Sequence, residues 1–243
     1  MHPIAVHQAE PAAGAPPGVT PALCLHGLGG GFAATFTDSG WTIALARRRL
    51  VVGIDSRGFG DAAPPGDPSE LTGRPYVGDV LGALDALGLA VVDVIGFSMG
   101  AGQAIRLALD APERVRRLVL LGVDAPALAA AGDTPGPVAE GRALLTLAHA
   151  KARPTLGPQA DLQFEAWARD PLAPFLWRSL GRPALFVTGG NDADGAGAAM
   201  AVADVLAQRL DGARHHLVMG ADHASTMRAA GALGAALEFL DGL

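Results

Sequence analysis

The sequence has few residues of several chemically distinctive types. Its 243 residues include one cysteine, one tyrosine and a single lysine, Lys151, and aromatic residues make up only 5%. One cysteine can form neither an internal disulfide bond nor a cysteine-based zinc site. That residue, Cys24, lies in the apolar run Ala22–Leu25, and we expect it to be a small buried hydrophobic side chain.

Charged segments and long apolar segments are also scarce. Charged residues make up 17% of the chain and the net charge is −6, whereas an average protein has about 25% charged residues. The arginines at 47–49 and 114–117 are flanked by apolar residues and form no basic stripe, so we expect no nucleic-acid partner. The chain has no run of about 18 apolar residues, and no basic segment followed by an apolar core near its start. We therefore expect a cytoplasmic protein with no membrane partner, and the sequence leaves its oligomeric state open.

The rest of the sequence alternates short apolar runs with longer helical patterns. Hydrophobic residues make up 50%, and 33 glycines and 18 prolines are scattered between the runs, which is typical of a globular protein. This alternation predicts an α/β fold with a doubly wound, mostly parallel sheet, because strands buried on both faces are rich in Val, Ile and Leu. The predicted strands are 21–25, 50–54, 91–95, 118–123, 184–187 and 216–219, with an outer strand at 4–7. The predicted helices are 39–49, 72–87, 99–109, 197–210 and 224–240.

One long interval lacks a strand pattern. From Ala125 to Arg182 the sequence is typical of helices interrupted by prolines, and an unstructured loop of this length is uncommon in a compact domain. We expect a short helical insertion at 125–180 within a body formed by residues 1–124 and 181–243. Its aromatic residues either line an apolar pocket or pack the insertion on the body, and both interpretations stay open. These residues are Phe164, Trp167, Phe175 and Trp177.

A Gly-x-Ser-x-Gly segment follows one of the predicted strands. Gly96, Ser98 and Gly100 span the junction between the strand that ends at Ile95 and the helix that begins at Met99. A serine on such a sharp turn has a strained backbone, and a glycine two residues away on each side avoids collisions with neighbouring elements. The free N–H groups at the start of the helix favour negative charge beside the serine oxygen. Ser98 is therefore the candidate nucleophile.

A glycine-rich loop follows the first central strand. It begins with His26, Gly27 and Leu28 and continues with three glycines, and glycine lets backbone N–H groups approach a carbonyl oxygen closely. We predict that the backbone N–H groups of Leu28 and Met99 form an oxyanion hole. We also expect His26 to brace the loop by hydrogen bonds.

The same loop has a second interpretation. Gly29-x-Gly31-x-x-Ala34, with Asp55 at the end of the next strand, mimics a dinucleotide-binding fingerprint. The helix that this fingerprint needs does not follow, because residues 35–40 have the composition of a loop. The lone tyrosine also lacks the Tyr-x-x-x-Lys spacing of a short-chain dehydrogenase. We therefore disfavour a nicotinamide cofactor.

A serine nucleophile needs a histidine base. Of the seven histidines, His223 follows a predicted strand directly and lies on a loop before the last helix. Sites in such sheets gather at this carboxyl edge. His215 and His216 fall at the start of that strand, at the opposite edge, and we interpret them as ordinary sheet residues.

A carboxylate should orient this histidine. In enzymes with this turn the acid follows a strand between the serine and the histidine in sequence. Asp192 and Asp194 both come after the predicted strand at 184–187, and Asp124 is a more distant alternative.

Together these motifs resemble the α/β-hydrolase superfamily, and the likeness runs from about Pro21 to residue 243. It rests on His26-Gly27, the segment from Asp55 to Gly60, Gly96 to Gly100, Gly189 to Asp192, and Gly220 to His223. The resemblance is to small esterases, enol-lactonases and cofactor-free haloperoxidases. It implies the α/β-hydrolase fold with the insertion as a helical cap, and the Gly-x-x-Asp pattern of the family favours Asp192 over Asp194.

Three features bear on how far the resemblance extends. Asp61 stands where the family usually has serine, which adds a charge near the mouth of the site. The start of the chain is too short for the usual hairpin of strands, so fewer than eight strands are expected. Ser98 argues against epoxide and haloalkane hydrolysis, because those relatives have aspartate at the turn.

The resemblance implies a serine hydrolase that forms an acyl-enzyme with a small, largely apolar ester, lactone or thioester. Ser98, Asp192 and His223 would form its catalytic triad, and it would need no metal or organic cofactor. A small-molecule substrate is then its expected partner. Two alternatives stay open: a ligand-binding protein on this fold with little turnover, and a triad enzyme for perhydrolysis or carbon–carbon bond hydrolysis.

Overall fold

The computed structural model describes residues 4–11, 13–63, 65, 67, 73–122, 161, 180–191 and 211–243. The helix predicted at 197–210 lies outside this set, as does the insertion predicted at 125–180 apart from residues 161 and 180.

A seven-stranded sheet forms the centre of the described structure. Its strands are β1 (Ala5–Ala9), β2 (Ala22–Leu25), β3 (Val51–Asp55), β4 (Val92–Phe97), β5 (Val115–Leu121), β6 (Ala184–Gly189) and β7 (Ala213–Val218). They lie in the order β1-β3-β2-β4-β5-β6-β7, and β1 pairs antiparallel with β3 while the other neighbours are parallel. The predicted α/β fold with a mostly parallel sheet is confirmed.

Helices connect these strands. They are a π-helical turn (Ala33–Thr37), α1 (Trp41–Leu45), α2 (Gly73–Ala86), α3 (Met99–Asp110), a 3-10 turn (Pro112–Arg114), α4 (His223–Thr226) and α5 (Ala230–Asp241). Among the residues that the model covers, no helix is long and apolar enough to cross a bilayer.

The first helical segment differs from its prediction. Residues 35–40 were expected to form a loop, yet a π-helical turn runs from Ala33 to Thr37 and α1 is only five residues long. The turn forms because Phe32, Phe36 and Trp41 pack in series, with ring centroids 6.0 and 6.4 Å apart. Phe36 and Trp41 are completely buried, so aromatic packing outweighs the loop-like composition.

The last predicted helix, 224–240, is instead two helices. Ala229 has extended backbone between α4 and α5, with φ −76° and ψ 124°. The carbonyl of Met227 accepts a hydrogen bond of 2.7 Å from Trp41 Nε1. This bond, together with the burial of Met227, stabilises the break in the helix.

Strand β7 begins earlier than predicted. It starts at Ala213 rather than at residue 216, so His215 lies inside the strand, where its ring hydrogen-bonds Thr188 Oγ1. The apolar pattern missed this start because β7 is half-exposed and contains Arg214 and two histidines.

Both faces of the sheet are covered. Leu23 and Leu25 of β2 pack in one apolar cluster with α2 and α3, whereas Cys24 packs in a second cluster with Phe36, Trp41 and α5. Successive side chains of a strand point to opposite faces, so β2 contributes to both clusters. Cys24 is fully buried and burial raises the pKa of its thiol, which agrees with the predicted structural role.

A buried ion network lies at the amino ends of the strands. Asp93 at the start of β4 is fully buried, and Arg49 is 2% exposed. Arg49 Nη1 donates to Asp93 at 3.2 Å, and Arg116 donates to both oxygens of the same carboxylate. Arg49 and Arg48 also pair with Asp241 of α5. Burial raises the pKa of Asp93 despite these arginines, so the arginines offset a large desolvation penalty.

The strand order places a crevice between β2 and β4. The chain leaves β2 to form β3 on one side of it and then returns to form β4 on the other. Open α/β sheets bind ligands at the carboxyl ends of strands where the order reverses in this way. The loops that follow β2 and β4 therefore border the expected site.

Candidate active site

Ser98 lies on a sharp turn between β4 and α3. Among the described residues it is the only non-glycine with positive φ, at 53° with ψ −115°. Its backbone N–H donates to the carbonyl of Leu121 on the neighbouring strand at 2.8 Å. This bond ties the strained turn to the sheet.

The two glycines of the motif make room for this turn. A Cβ atom on Gly96 would lie 2.3 Å from the carbonyl oxygen of Gly100, and one on Gly100 would lie 2.1 Å from the carbonyl oxygen of Leu25. Both distances are far inside van der Waals contact, and both partners are backbone atoms. The steric reason given for the glycines from the sequence is therefore confirmed.

The proposed oxyanion donors flank the same crevice. Met99 is the first residue of α3, so its N–H has no acceptor within the helix. Leu28 lies in the loop after β2, where Gly30 N–H donates to the Gly27 carbonyl at 3.2 Å and Gly29 has φ 76°. The structure thus places the two residues at the ends of neighbouring strands, and their action on an oxyanion stays a prediction.

His26 braces this loop, as expected from the sequence. Its Nδ1 lies 2.8 Å from the Gly27 carbonyl oxygen, and its Nε2 accepts a 3.0 Å hydrogen bond from the N–H of Ser56. These roles require a neutral ring with its proton on Nδ1. Burial lowers the pKa of His26, which favours that neutral form.

His223 begins α4, directly after the loop that follows β7. Asp222 caps this helix: its Oδ1 accepts from the Ser225 N–H at 2.7 Å, and the Ser225 hydroxyl accepts from the Asp222 N–H at 2.8 Å. The hydrogen bonds from Ser225 lower the pKa of Asp222. This reciprocal cap fixes the backbone position from which the His223 side chain extends.

The imidazole of His223 lies beside the serine turn. Its ring centroid is 5.0 Å from that of Phe97, the residue before Ser98. A Cβ atom on Gly122, at the end of β5, would lie 2.9 Å from His223 Cε1. The structure therefore brings two of the predicted catalytic residues to the same edge of the sheet.

Several predicted site residues lie outside the described part of the chain. They are Asp192, Asp194, Asp124, Phe164, Trp167, Phe175 and Trp177. The residue before Asp192 is described: Asn191 donates from its backbone N–H to the Ala221 carbonyl at 2.8 Å and from its side chain to the Gly220 carbonyl at 3.2 Å. The chain leading to Asp192 is thus attached to the loop that carries His223.

Asp55 has a role that the sequence did not indicate. Its buried carboxylate accepts hydrogen bonds from the N–H groups of Phe32 and Asp61, at 2.5 and 2.9 Å, and from His7 Nε2 at 2.8 Å. Burial alone raises the pKa of Asp55, but the hydrogen bonds from Asp61, Phe32 and His7 lower it below its ordinary value. Asp55 therefore joins β1, the oxyanion loop and the loop after β3. Gly60 leaves room for this carboxylate, because a Cβ atom there would lie 2.2 Å from Asp55 Oδ2.

Three side chains at this tether are close enough together to hold a metal ion. The ligand atoms of His7, Asp55 and Asp61 lie within 4.8 Å of one another. Asp55 already takes three hydrogen bonds, one of them from the His7 ring, so we interpret the group as a tether between loops.

A mostly parallel sheet whose strand-to-helix turns lie at one edge defines a doubly wound α/β protein. The serine turn, with His223 beside it, points to one family within that class. The chain belongs to the alpha/beta hydrolase fold family, whose model matches residues 20–141. The resemblance inferred from the motifs is thereby confirmed.

Individual relatives agree with this assignment. A 2-hydroxymuconate semialdehyde hydrolase from Pseudomonas putida is 41% identical over 102 residues, which span 42% of this chain and 36% of the relative. The enol-lactonase from Burkholderia xenovorans LB400 superposes with a TM-score of 0.68 at 23% identity, covering 98% of this chain and 96% of that one. An esterase from Exiguobacterium antarcticum gives a TM-score of 0.75 at 17% identity with the same coverage. At these identities the two structures show a shared fold.

Proposed function

We propose that the protein is a serine hydrolase that cleaves a small, largely apolar carboxylic ester, lactone or thioester. The observation that carries this proposal is the placement of a histidine beside the turn that holds a strained serine. Ser98 is held at φ 53° at the end of β4, and the imidazole of His223 packs against the residue before it. A backbone strained in this way persists where the surrounding structure determines it, and such positions cluster at functional sites.

Each group has a defined part in the proposed reaction. Ser98 Oγ attacks the carbonyl carbon while His223 takes the hydroxyl proton, and the N–H groups of Leu28 and Met99 stabilise the oxyanion. His223 then gives the proton to the leaving group, and the acyl-enzyme forms. A water molecule, deprotonated by His223, releases the acid and restores Ser98. Asp192 is the proposed acid that holds the imidazole in the correct tautomer.

The substrate is proposed to be a small, largely apolar molecule. Apart from His26 and Ser98, the oxyanion loop and the serine turn are built from glycine and apolar residues. The proposed aromatic lining from Phe164, Trp167, Phe175 and Trp177 would favour an apolar acyl group.

Ester hydrolysis tests this proposal directly. The wild-type protein should hydrolyse p-nitrophenyl acetate or butyrate, and a fluorophosphonate probe should label Ser98, identified by peptide mass spectrometry. Ser98→Ala should lose both the turnover and the label. Unchanged turnover in Ser98→Ala would refute the assignment. The absence of turnover across esters of increasing chain length, together with ligand-induced thermal stabilisation, would favour a binding protein.

Carbon–carbon bond hydrolysis is a second candidate. It is favoured by the 41% identity to a 2-hydroxymuconate semialdehyde hydrolase over 42% of the chain. The same serine and histidine would serve, but the leaving group would be a carbon atom that must be protonated. The matched segment covers only 36% of that relative, so ester hydrolysis is still the first candidate.

A direct comparison separates the two candidates. The protein is supplied with 2-hydroxymuconate semialdehyde and, in parallel, with p-nitrophenyl butyrate and an enol-lactone, and kcat/KM is measured for each. Preference for the semialdehyde by tenfold or more would favour carbon–carbon cleavage. Preference for the esters or lactone would favour the first candidate, and perhydrolysis is scored in the same series by peracid formation from acetate and peroxide.

A further inference from the structure

The side chain of Phe97 touches two parts of the proposed active site at once. Its ring centroid lies 5.0 Å from that of His223, and the two planes are tilted by 34°. On the oxyanion loop, a Cβ atom on Gly27 would lie 2.8 Å from Phe97 Cδ1 and 3.0 Å from Cε1. The ring is therefore packed between the loop after β2 and the imidazole.

Gly122 completes this packing from the next strand. A Cβ atom there would lie 2.9 Å from His223 Cε1, 3.0 Å from His223 Nδ1 and 3.4 Å from Phe97 Cε2. Gly122 also has φ 51°. Glycine at 27 and at 122 thus leaves the space that the phenyl ring and the imidazole fill.

We propose that Phe97 is a positioning residue, whose ring holds the His223 imidazole and the Gly27 turn in register with Ser98. This inference rests on the proposed function of Ser98 and His223. Phe97 is the last residue of β4, and its backbone pairs with Leu121 of β5, so the ring is anchored to the central sheet. A rigid aromatic face in contact with an imidazole restricts its rotation and shields that face from water.

Phe97 would act by holding the base in position and would take no part in the chemical steps. A phenyl ring neither donates nor accepts a proton, so its loss should leave the reaction steps intact and misplace the base. Misplacement of a catalytic group by about 1 Å lowers the rate by up to about 10²-fold. Substrate binding should change little, because the ring faces the loop and the imidazole.

Variants that remove the aromatic ring of Phe97 should therefore change kcat and leave KM almost unchanged. Phe97→Leu should lower kcat on p-nitrophenyl butyrate by about 10- to 100-fold and change KM by less than about twofold. Phe97→Tyr keeps the aromatic face and should retain kcat within about threefold. Phe239→Leu is the matched control: Phe239 is a buried aromatic on α5, and its truncation should lower the melting temperature with no effect on kcat.

A second measurement does not depend on turnover. The ring current of Phe97 should shift the NMR signals of the His223 imidazole protons, which can be assigned by their loss in His223→Gln. These signals should move in Phe97→Leu, move little in Phe97→Tyr and stay unchanged in Phe239→Leu.

The outcomes are distinct. Unchanged kcat and unchanged imidazole signals in Phe97→Leu would overturn the proposal, and a rise in KM with kcat preserved would assign the ring to substrate binding instead. Failure of the fluorophosphonate probe to label wild-type Ser98 would refute the proposed function. In that case the NMR comparison still decides whether Phe97 positions His223.

Discussion

The carbonyl oxygen of Leu25 lies 2.1 Å from the point that a Cβ atom on Gly100 would occupy. Helix α3 therefore starts in direct contact with the backbone of β2, and no side chain at position 100 fits without moving one of them. We expect Gly100→Ala to lower the free energy of unfolding by about 2–4 kcal/mol, because the obstructing atom belongs to a buried strand. Urea unfolding followed by circular dichroism measures this change.

Gly102 provides the matched control for that variant. It lies in the same helix, and a Cβ atom there would meet nothing within 4 Å. Gly102→Ala should raise the free energy of unfolding by about 0.5–1 kcal/mol, because alanine loses less backbone entropy in a helix. Equal effects of the two variants would contradict the close contact at Gly100.

Acid should weaken the fold through His26. In the unfolded chain the imidazole has a pKa of about 6.5, and burial holds the pKa of His26 lower in the folded protein. Between these two pKa values the unfolded state binds more protons than the folded state. The contribution of His26 to the free energy of unfolding is therefore fully present above about pH 6.5 and is lost as the pH falls below that value. Urea titrations at a series of pH values between 5 and 8 measure the slope.

His26→Asn isolates this contribution. The amide can replace the bond of Nδ1 to Gly27, but it does not titrate and does not reach the Ser56 N–H. The variant should be less stable at pH 8 and should lose part of the slope below pH 6.5. A slope identical to that of the wild type would show that His26 is not the group that titrates.

The triad acid can be assigned by three parallel substitutions. If Asp192 orients His223, Asp192→Asn should lower kcat by about 10³- to 10⁴-fold, because the amide stabilises the wrong tautomer of the imidazole. Asp194→Asn and Asp124→Asn should each retain kcat within about fivefold. A large loss confined to one of the other two variants would move the role to that residue. Steady-state kinetics on p-nitrophenyl butyrate, with circular dichroism as a check on folding, gives the answer.

Two neighbouring arginines of the buried ion network should contribute very differently to the free energy of unfolding. Arg49 has a side chain that is 2% exposed, whereas that of Arg48 is 59% exposed. Arg49→Met removes a partner of the buried Asp93 carboxylate and should lower the free energy of unfolding by about 3 kcal/mol. Arg48→Met removes a solvated ion pair and should change it by less than about 0.5 kcal/mol. Similar losses in both variants would show that burial is not what distinguishes them.

Much of the fold could be predicted because the central strands are buried on both faces. β2, β3 and β6 are fully buried along their length, so they appear in the sequence as short runs that are apolar except near the carboxyl ends of β3 and β6. The serine turn was also predictable, since its glycines are required by contacts within a few residues or with the adjacent strand. His223 could be found because it follows a strand directly.

The features that were missed depend on contacts between distant parts of the chain. The break between α4 and α5 is stabilised by Trp41 Nε1 and the Met227 carbonyl, which are separated by 186 residues. The π-helical turn forms around Phe36 because of aromatic neighbours on both sides. The tether at Asp55 needs His7, Phe32 and Asp61 from three segments, and the packing of Phe97 depends on glycines in two other segments. No local pattern marks these pairings.

The positive φ of Ser98 lowers the stability of the fold at the residue that is proposed to be the nucleophile. A non-glycine residue at φ 53° costs about 1–3 kcal/mol, and glycine at that position would relieve this strain. A library randomised at position 98 and selected only for resistance to heat or protease should therefore become enriched in Ser98→Gly. If Ser98 is the nucleophile, the same library selected for turnover should return serine. The difference in the free energy of unfolding between the variants from the two selections would then measure the stability that the protein gives up to hold it.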